Sequence, residues 1–228
     1  MLYLNIARVW YNTQIIYGGD YTTTIYLIRH SEGFKKLQGI LNTNDSVQLL
    51  NEKSPLSYDG EKMAETLANN PEFKNIDVVW SSNYVRAIST AKYFAVNNNL
   101  KVNIDDRLRE RVQGIKSWDE LPDDFTERQF SDETHKIGFG ENQLEVRKRM
   151  EEVFDEILNA NQGKRIVIVG HSTAMAFLLK RWCTISFKSP YTFNDKEFFD
   201  GNWNYCETFK LEFDDNNKLL NIKNLREK

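Results

Sequence analysis

Four short apolar runs limit what this chain can fold into: TIYLI at 24–28, IDVVW at 76–80, VNI at 102–104 and RIVIVG at 165–170. They are rich in β-branched residues and near-continuous in apolar character, the pattern of strands covered on both faces. Helical stripes separate them. In LSYDGEKMAETLANN, Met63, Ala64, Leu67 and Ala68 share one helical face, and Asn70 with Pro71 ends the run. In NYVRAISTAKYFAV the shared face carries Tyr84, Ala87, Ile88, Ala91, Phe94 and Ala95. In NQLEVRKRMEEVFDEILNA it carries Val146, Met150, Val153, Phe154, Ile157 and Leu158, with charged residues opposite. Strands alternating with helices predict an α/β fold with a mostly parallel central sheet. Near the end, ETFKLEFDDNNKLLNIKNL reads as two alternating strands around an Asp/Asn turn, an antiparallel hairpin at the sheet edge.

With 228 residues the expectation is one domain over 24–228, preceded by an extension of uncertain role over 1–23. The extension has no clear period and ends in Gly18, Gly19 and Asp20; it reads as a peripheral strand or arm and not as a signal peptide, since Arg8 breaks its apolar run. From Arg111 to Gly140 the chain is polar and weakly periodic, which predicts a lid or substrate loop. A net charge of −3 with interspersed signs argues against nucleic-acid and membrane partners. Apolar stretches fall short of the roughly 20 residues that span a bilayer. Cys183 and Cys206 have neither metal-ligand nor disulfide-framework spacing, which suits a cytoplasmic protein.

In open α/β sheets, ligands gather at the carboxyl ends of the strands. Here the first run leads into Arg29 and His30, the second into Ser81, Ser82 and then Arg86, the third towards Glu110, and the fourth into His171. Two arginines and two histidines at neighbouring strand ends repel one another unless they share an anion. A phosphoryl group fits, because guanidinium groups and helix N-termini both bind its oxygens, and one imidazole can attack phosphorus while the other neutralises charge.

These residues also stand in an ordered set of motifs. LIRHSEG resembles the L-x-R-H-G-E signature of the histidine phosphatase superfamily, the phosphoglycerate mutase-like group. LSYDGEKMA, SSNYVRAISTA, RLRE, GFGEN and IVIVGHS resemble its later motifs, in order, from about Thr24 to the C-terminal hairpin. The resemblance implies a three-layer α/β/α sandwich of the phosphoglycerate mutase-like kind. It implies His30 as the phosphorylated nucleophile, with Arg29, Arg86 and His171 holding the phosphoryl group. Glu110 would protonate the leaving oxygen and then activate water, and no metal or other cofactor is called for. Ser81 and Ser82 are read as capping and packing residues. Ser172 and Thr173 are read as the start of the next helix, with Ser172 also a candidate substrate contact. Glu141 would orient the site from its rim or be an ordinary first-turn glutamate; His135 receives no role.

Three positions depart from the family pattern. Ser31 stands where Gly is usual and must either accept the same dihedrals or add a hydroxyl contact; Gly33 stands where Ser or Thr is common. Lys36 replaces an Asn of the mutase branch and, with Lys35, is a candidate contact for a second anionic group. The segment FKKLQGILNTNDSVQLLNEK also lacks the mutase acceptor-site sequences. The expected function is therefore a histidine acid-phosphatase-like phosphoric monoester hydrolase, acting on a small phosphorylated metabolite or a phosphoprotein and releasing inorganic phosphate. A phosphoglycerate mutase and an inactive phospholigand-binding module are the alternatives.

Overall fold

The computed structural model describes residues 22–34 and 45–226. Most of the N-terminal extension, together with Lys35 and Lys36, lies outside the described residues, so the roles expected of those two lysines concern positions not described. The strands are β1 (Thr23–Arg29), β2 (Val78–Ser81), β3 (Val102–Ile104), β4 (Arg165–Gly170), β5 (Tyr191–Phe193), β6 (Lys196–Phe199), β7 (Thr208–Phe213) and β8 (Leu219–Asn224). The helices are α1 (Val47–Lys53), α2 (Tyr58–Ala68), α3 (Val85–Asn97), α4 (Phe125–Ser131), α5 (Gln143–Ala160) and α6 (Ser172–Leu179).

Six strands form one sheet in the order β3-β2-β4-β1-β7-β8. β1 to β4 pair in parallel, and β7 with β8 adds the expected antiparallel edge. Both faces of the sheet are covered, and the strands divide their side chains between them. Ile25, Leu27, Ile166 and Ile168 face α5 and α6, while Tyr26, Ile28, Val167 and Val169 face α3 and the end of α2. That division accounts for the unbroken apolar runs of β1 and β4, because a strand with a helix layer on each side has no solvent face.

The helical stripes hold for α5, whose six expected core residues are all buried, and for most of α3. Two details differ. Met63 in α2 is 39% exposed; the buried line of that helix runs instead through Gly60, Ala64 and Ala68, and at Gly60 a Cβ would stand 2.1 Å from the Glu32 carbonyl oxygen. Arg149 lies on the apolar side of α5 and is buried, although its charge suggested the solvent side.

The segment from Arg111 to Gly140 is a packed structure carrying α4. Phe125 and Gln129 are buried, and Gln129 ties the segment together by accepting from Arg111 Nη1 (2.8 Å) and donating to the carbonyls of His135 (3.0 Å) and Glu141 (2.8 Å). At its base Gly114 has φ +80°, and a Cβ there would meet the Ile137 oxygen at 2.1 Å, so the two ends of the segment close at van der Waals contact. The β5–β6 hairpin and α1 are further elements that the apolar pattern did not announce.

Candidate active site

Parallel pairing builds the site before any side chain is considered. Arg29 on β1 stands opposite Gly170 on β4, and the His30 backbone N–H donates to the Gly170 carbonyl (2.9 Å). On the other flank Ser81 pairs with Val169, and the Ser82 N–H donates to the Val169 carbonyl (3.0 Å). His30, His171 and Ser82 therefore leave three adjacent strands at one level. The imidazoles of His30 and His171 stand 5.1 Å apart between ring centroids.

Both rings are buried, and their hydrogen bonds define their tautomers. His30 Nδ1 lies 2.7 Å from the Ser31 carbonyl, which can only accept, so Nδ1 carries the proton. Arg86 Nε donates to His30 Nε2 at 3.0 Å, so Nε2 presents its lone pair. In His171, Nδ1 faces the donor-only Arg86 Nη2 at 3.4 Å and Nε2 faces Ser82 Oγ at 2.8 Å; the neutral ring thus keeps its proton on Nε2 and donates it to Ser82. Ser82 Oγ also accepts from the Tyr84 N–H (3.3 Å), and the Tyr84 ring packs edge-on against His171 at 4.6 Å. Burial pulls both histidines well below the usual imidazole range. Arg86 and then Arg29 lower His30 further, against an opposing hydrogen bond to the Ser31 carbonyl; His30 and Arg86 lower His171 further.

Arg29 is held from outside by the chain between β6 and β7. Its Nη1 donates to the Trp203 carbonyl (3.0 Å), and its guanidinium lies 4.8 Å from the centre of the Tyr205 ring. Its Nε is buried without a hydrogen-bond partner among the described residues, a donor left for an acceptor that the protein itself does not supply. Burial lowers both Arg29 and Arg86 from the ordinary guanidinium range, and the Glu110 carboxylate opposes this for each.

Glu110 stands at the start of α6. Its Oε1 accepts from the N–H groups of Arg111 (2.9 Å) and Ala174 (3.0 Å), and its Oε2 from that of Thr173 (3.3 Å). His171 occupies the N-cap position of this helix but turns its ring to Ser82, so the free amides are capped by Glu110 from another strand end. Ser172 is the first residue of the helix, as expected, and is half-buried. Behind Glu110, Arg149 donates to both oxygens of Glu141 (2.8 and 2.9 Å) and to the carbonyls of Arg107 (2.6 Å), Arg109 (2.9 Å) and Glu110 (3.2 Å). Burial alone would raise Glu141, but the bonds and charge of Arg149 outweigh it and hold the carboxyl below its usual range. Glu141 is therefore part of the clamp that fixes the Glu110 segment.

The structure revises Ser31. Its Oγ donates to the Gly60 carbonyl (2.7 Å) and its N–H to Thr90 Oγ1 (3.0 Å), so both of its donors are committed within the fold, and its φ is not in the left-handed region. It secures the loop that follows β1 to α2 and α3. Gly60 is required there, since a Cβ would stand 2.1 Å from the Glu32 carbonyl oxygen. Ser82, read as a capping residue, does accept from Tyr84 but also holds His171. Arg149 was missed, and its signal was present: a charge three residues after Val146 and four before Val153 sits on an apolar stripe.

This arrangement defines a class: a buried cluster of two histidines and two arginines at the strand ends of an α/β sandwich, with the His30 Nε2 lone pair turned towards a guanidinium. The sequence comparisons agree. Residues 25–224 match the family model of the histidine phosphatase superfamily (branch 1), and the chain belongs to that superfamily. It is 29% identical to phosphoserine phosphatase 1 of Hydrogenobacter thermophilus over 164 residues, covering 66% of this chain and 72% of that protein. It is 28% identical to the probable phosphoglycerate mutase GpmB of Yersinia enterocolitica over 162 residues, covering 68% and 72%. Among solved structures the fold resembles a mycobacterial glucosyl-3-phosphoglycerate phosphatase, with a TM-score of 0.64 at 17% identity over 90% of this chain and 98% of the other. It also resembles YhfR of Bacillus stearothermophilus, with a TM-score of 0.63 at 22% identity over 86% and 94%.

Two outcomes follow for the imidazoles. The chain has only three histidines, so a long-range ¹H–¹⁵N spectrum separates them: His30 should appear as the Nδ1–H tautomer and His171 as the Nε2–H tautomer, with Ser82→Ala disturbing only the latter. The opposite assignment in the unsubstituted protein would contradict the hydrogen-bond directions given above. Acid should also destabilise the fold. With both folded-state values below the unfolded value of about 6.5, the unfolded chain binds more protons, so stability falls as pH drops below about 6.5 by up to about 1.4 kcal/mol per pH unit for each histidine. Urea denaturation at pH 7.0 and 5.5 measures this, and His171→Asn should remove part of the slope.

Proposed function

We propose that this protein is a phosphomonoesterase that works through a covalent phosphohistidine at His30, without a metal ion, on a small phosphorylated metabolite. The observation that carries the reading is the His30 imidazole, whose proton is held on Nδ1 by the Ser31 carbonyl while Nε2 keeps its lone pair among two guanidinium groups. A neutral imidazole in that tautomer is a nucleophile at neutral pH without first losing a proton.

The incoming phosphoryl oxygens give Arg86 better acceptors than an imidazole lone pair, which frees His30 Nε2 to attack phosphorus. The unpartnered Arg29 Nε–H and the cationic edge of Arg86 take the equatorial oxygens, and His171 joins them once its Nδ1 carries a proton. The P–O ester bond breaks, and Glu110 gives a proton to the departing alcohol. Water then attacks phosphorus, Glu110 takes its proton, the N–P electron pair returns to Nε2, and orthophosphate leaves. The charges that neutralise the phosphoryl group come from Arg29, Arg86 and His171, so the chemistry needs no cation from solution. Ser172, at the first turn of α6, stands where a leaving group would pass. The packed segment 111–140 forms a wall of the site. The relatives named as phosphatases support hydrolysis, and the two unpaired cysteines suit a cytoplasmic setting.

Phosphate release from an aryl phosphate in EDTA tests this. The unsubstituted protein should turn over, His30→Ala should fall to background, and Glu110→Gln should lose roughly 10²–10⁴-fold in kcat on an alkyl phosphate, whose leaving group needs the proton. Turnover by His30→Ala, or turnover abolished by EDTA, would contradict the reading. Conversion of 3-phosphoglycerate without phosphate release would assign a mutase instead.

A further inference from the structure

The histidine–arginine cluster is closed in this structure. His30, Arg86 and His171 are all buried, the His30 Nε2 lone pair is covered by Arg86, and Arg29 Nε is shut off from solvent. A phosphate ester therefore reaches His30 only when some part of the surface around the cluster moves. An element opens locally when little buried surface and few bonds hold it down, which singles out one helix.

Of the six α-helices among the described residues, α1 has no buried residue, and each of the others has at least two. It nevertheless lies on the cluster. The Asn51 carbonyl in α1 accepts from Arg86 Nη1 (2.5 Å), and it is the one oxygen among the described residues to which that guanidinium donates, its other partners being imidazole nitrogens of His30 and His171. One turn earlier Gln48 donates to the Tyr84 hydroxyl (2.6 Å), and the Tyr84 ring lies between His171, 4.6 Å away, and the Arg86 guanidinium, 4.9 Å away. The chain just past α1 is fixed. Leu56 is buried and bridges Gly33, the Phe34 N–H donates to the Pro55 carbonyl (2.9 Å), and the Ser57 N–H donates to the Glu32 carbonyl (2.9 Å). Two polar contacts thus seat α1 over the cluster, with a pivot at its C-terminal end. The other cover, the chain from Trp203 to Tyr205 over Arg29, runs into a firm anchor: the buried Glu207 carboxylate accepts from Asn204 Nδ2 (3.2 Å), Asn224 Nδ2 (2.8 Å) and Arg226 Nη1 (3.3 Å).

We propose that α1 is a lid over the phosphoryl site, latched by Gln48 to Tyr84, and that an oxyanion opens it by taking the place of the Asn51 carbonyl on Arg86. The inference rests on the phosphatase reading above and adds to it how substrate is admitted. A charged phosphoryl oxygen is a stronger acceptor for a guanidinium than a neutral carbonyl, so the exchange of partners at Arg86 favours the open form once the ester arrives. Substrate binds the open form alone, and its apparent affinity is the intrinsic one reduced by the open fraction. A weaker latch raises that fraction.

Hydrogen exchange read by mass spectrometry, with and without orthovanadate as a phosphate mimic, tests the lid in the unsubstituted protein. Peptides covering 47–53 should lose protection when vanadate binds, while those of α3 and α6 keep or gain it. Kinetics on an aryl phosphate give a second readout. Gln48→Leu should lower KM by about three- to tenfold with kcat held within about twofold. Tyr84→Phe removes the same bond from the other side and should lower KM to the same extent, and the double variant should go no further. A bond with a merely structural role would raise KM or reduce kcat when removed. Protection of 47–53 unchanged or increased by bound vanadate, or a KM unchanged or raised in Gln48→Leu, would overturn the lid while leaving the phosphatase reading intact. An unsubstituted protein that neither binds vanadate nor turns over the ester would instead overturn the phosphatase reading, and this inference with it.

Discussion

Arg86 Nε donates to His30 Nε2 across 3.0 Å, and the rest of the site is arranged around that contact. A guanidinium cannot accept, so it holds the imbedded imidazole neutral and points its lone pair inward; a second guanidinium, Arg29, adds charge of the same sign. Such a cluster is costly in a buried place unless something offsets it. Part of the offset comes from protein groups: the Ser31 carbonyl on His30 Nδ1, the Trp203 carbonyl and the Tyr205 ring on Arg29, and the nearby Glu110 carboxylate. The remainder is left open at Arg29 Nε, a buried donor without a partner among the described residues.

The same economy governs the outer ring of contacts. His171 gives up the capping role of its position to face Ser82, and Glu110 supplies the cap for α6 in its place. Glu110 can do so only because Arg149 draws the carbonyls of residues 107, 109 and 110 together and is itself neutralised by Glu141. One chain of donors and acceptors thus runs from α5 through Glu110 to the start of α6. In the opposite direction Ser31 is tied to Gly60 and Thr90, so the loop after His30 is braced from α2 and α3.

Much of this was legible before any coordinates. The continuous apolar runs of β1 and β4 could belong only to strands with a layer on each side, and once those strands are parallel neighbours, the Arg-His and His pairs at their ends must meet. What stayed hidden depends on pairwise contacts that no periodicity records. Ser82 looks like any serine at a strand end until β2 is seen beside β4. Met63 satisfies a helical stripe, yet the buried line of α2 runs through Gly60, Ala64 and Ala68, where Gly60 meets the Glu32 backbone. The polar composition of 111–140 suggested a loop, while Arg111 and Gln129 satisfy one another internally and let polar residues serve as packing. Arg149 was readable as a charge on an apolar face, though its partners were not.

The central claim is that His30 Nε2 forms a bond to phosphorus during turnover. The direct measurement is an alkaline quench of the protein during steady-state hydrolysis of a phosphate monoester, followed by peptide mapping by mass spectrometry under conditions that preserve acid-labile phosphoramidates. The account predicts one phosphoryl group on the peptide containing His30, attached at Nε2, absent from His30→Ala and accumulating further in Glu110→Gln when the leaving group is activated. Rapid turnover with no phosphoryl group on His30, or with the label on His171, would contradict it.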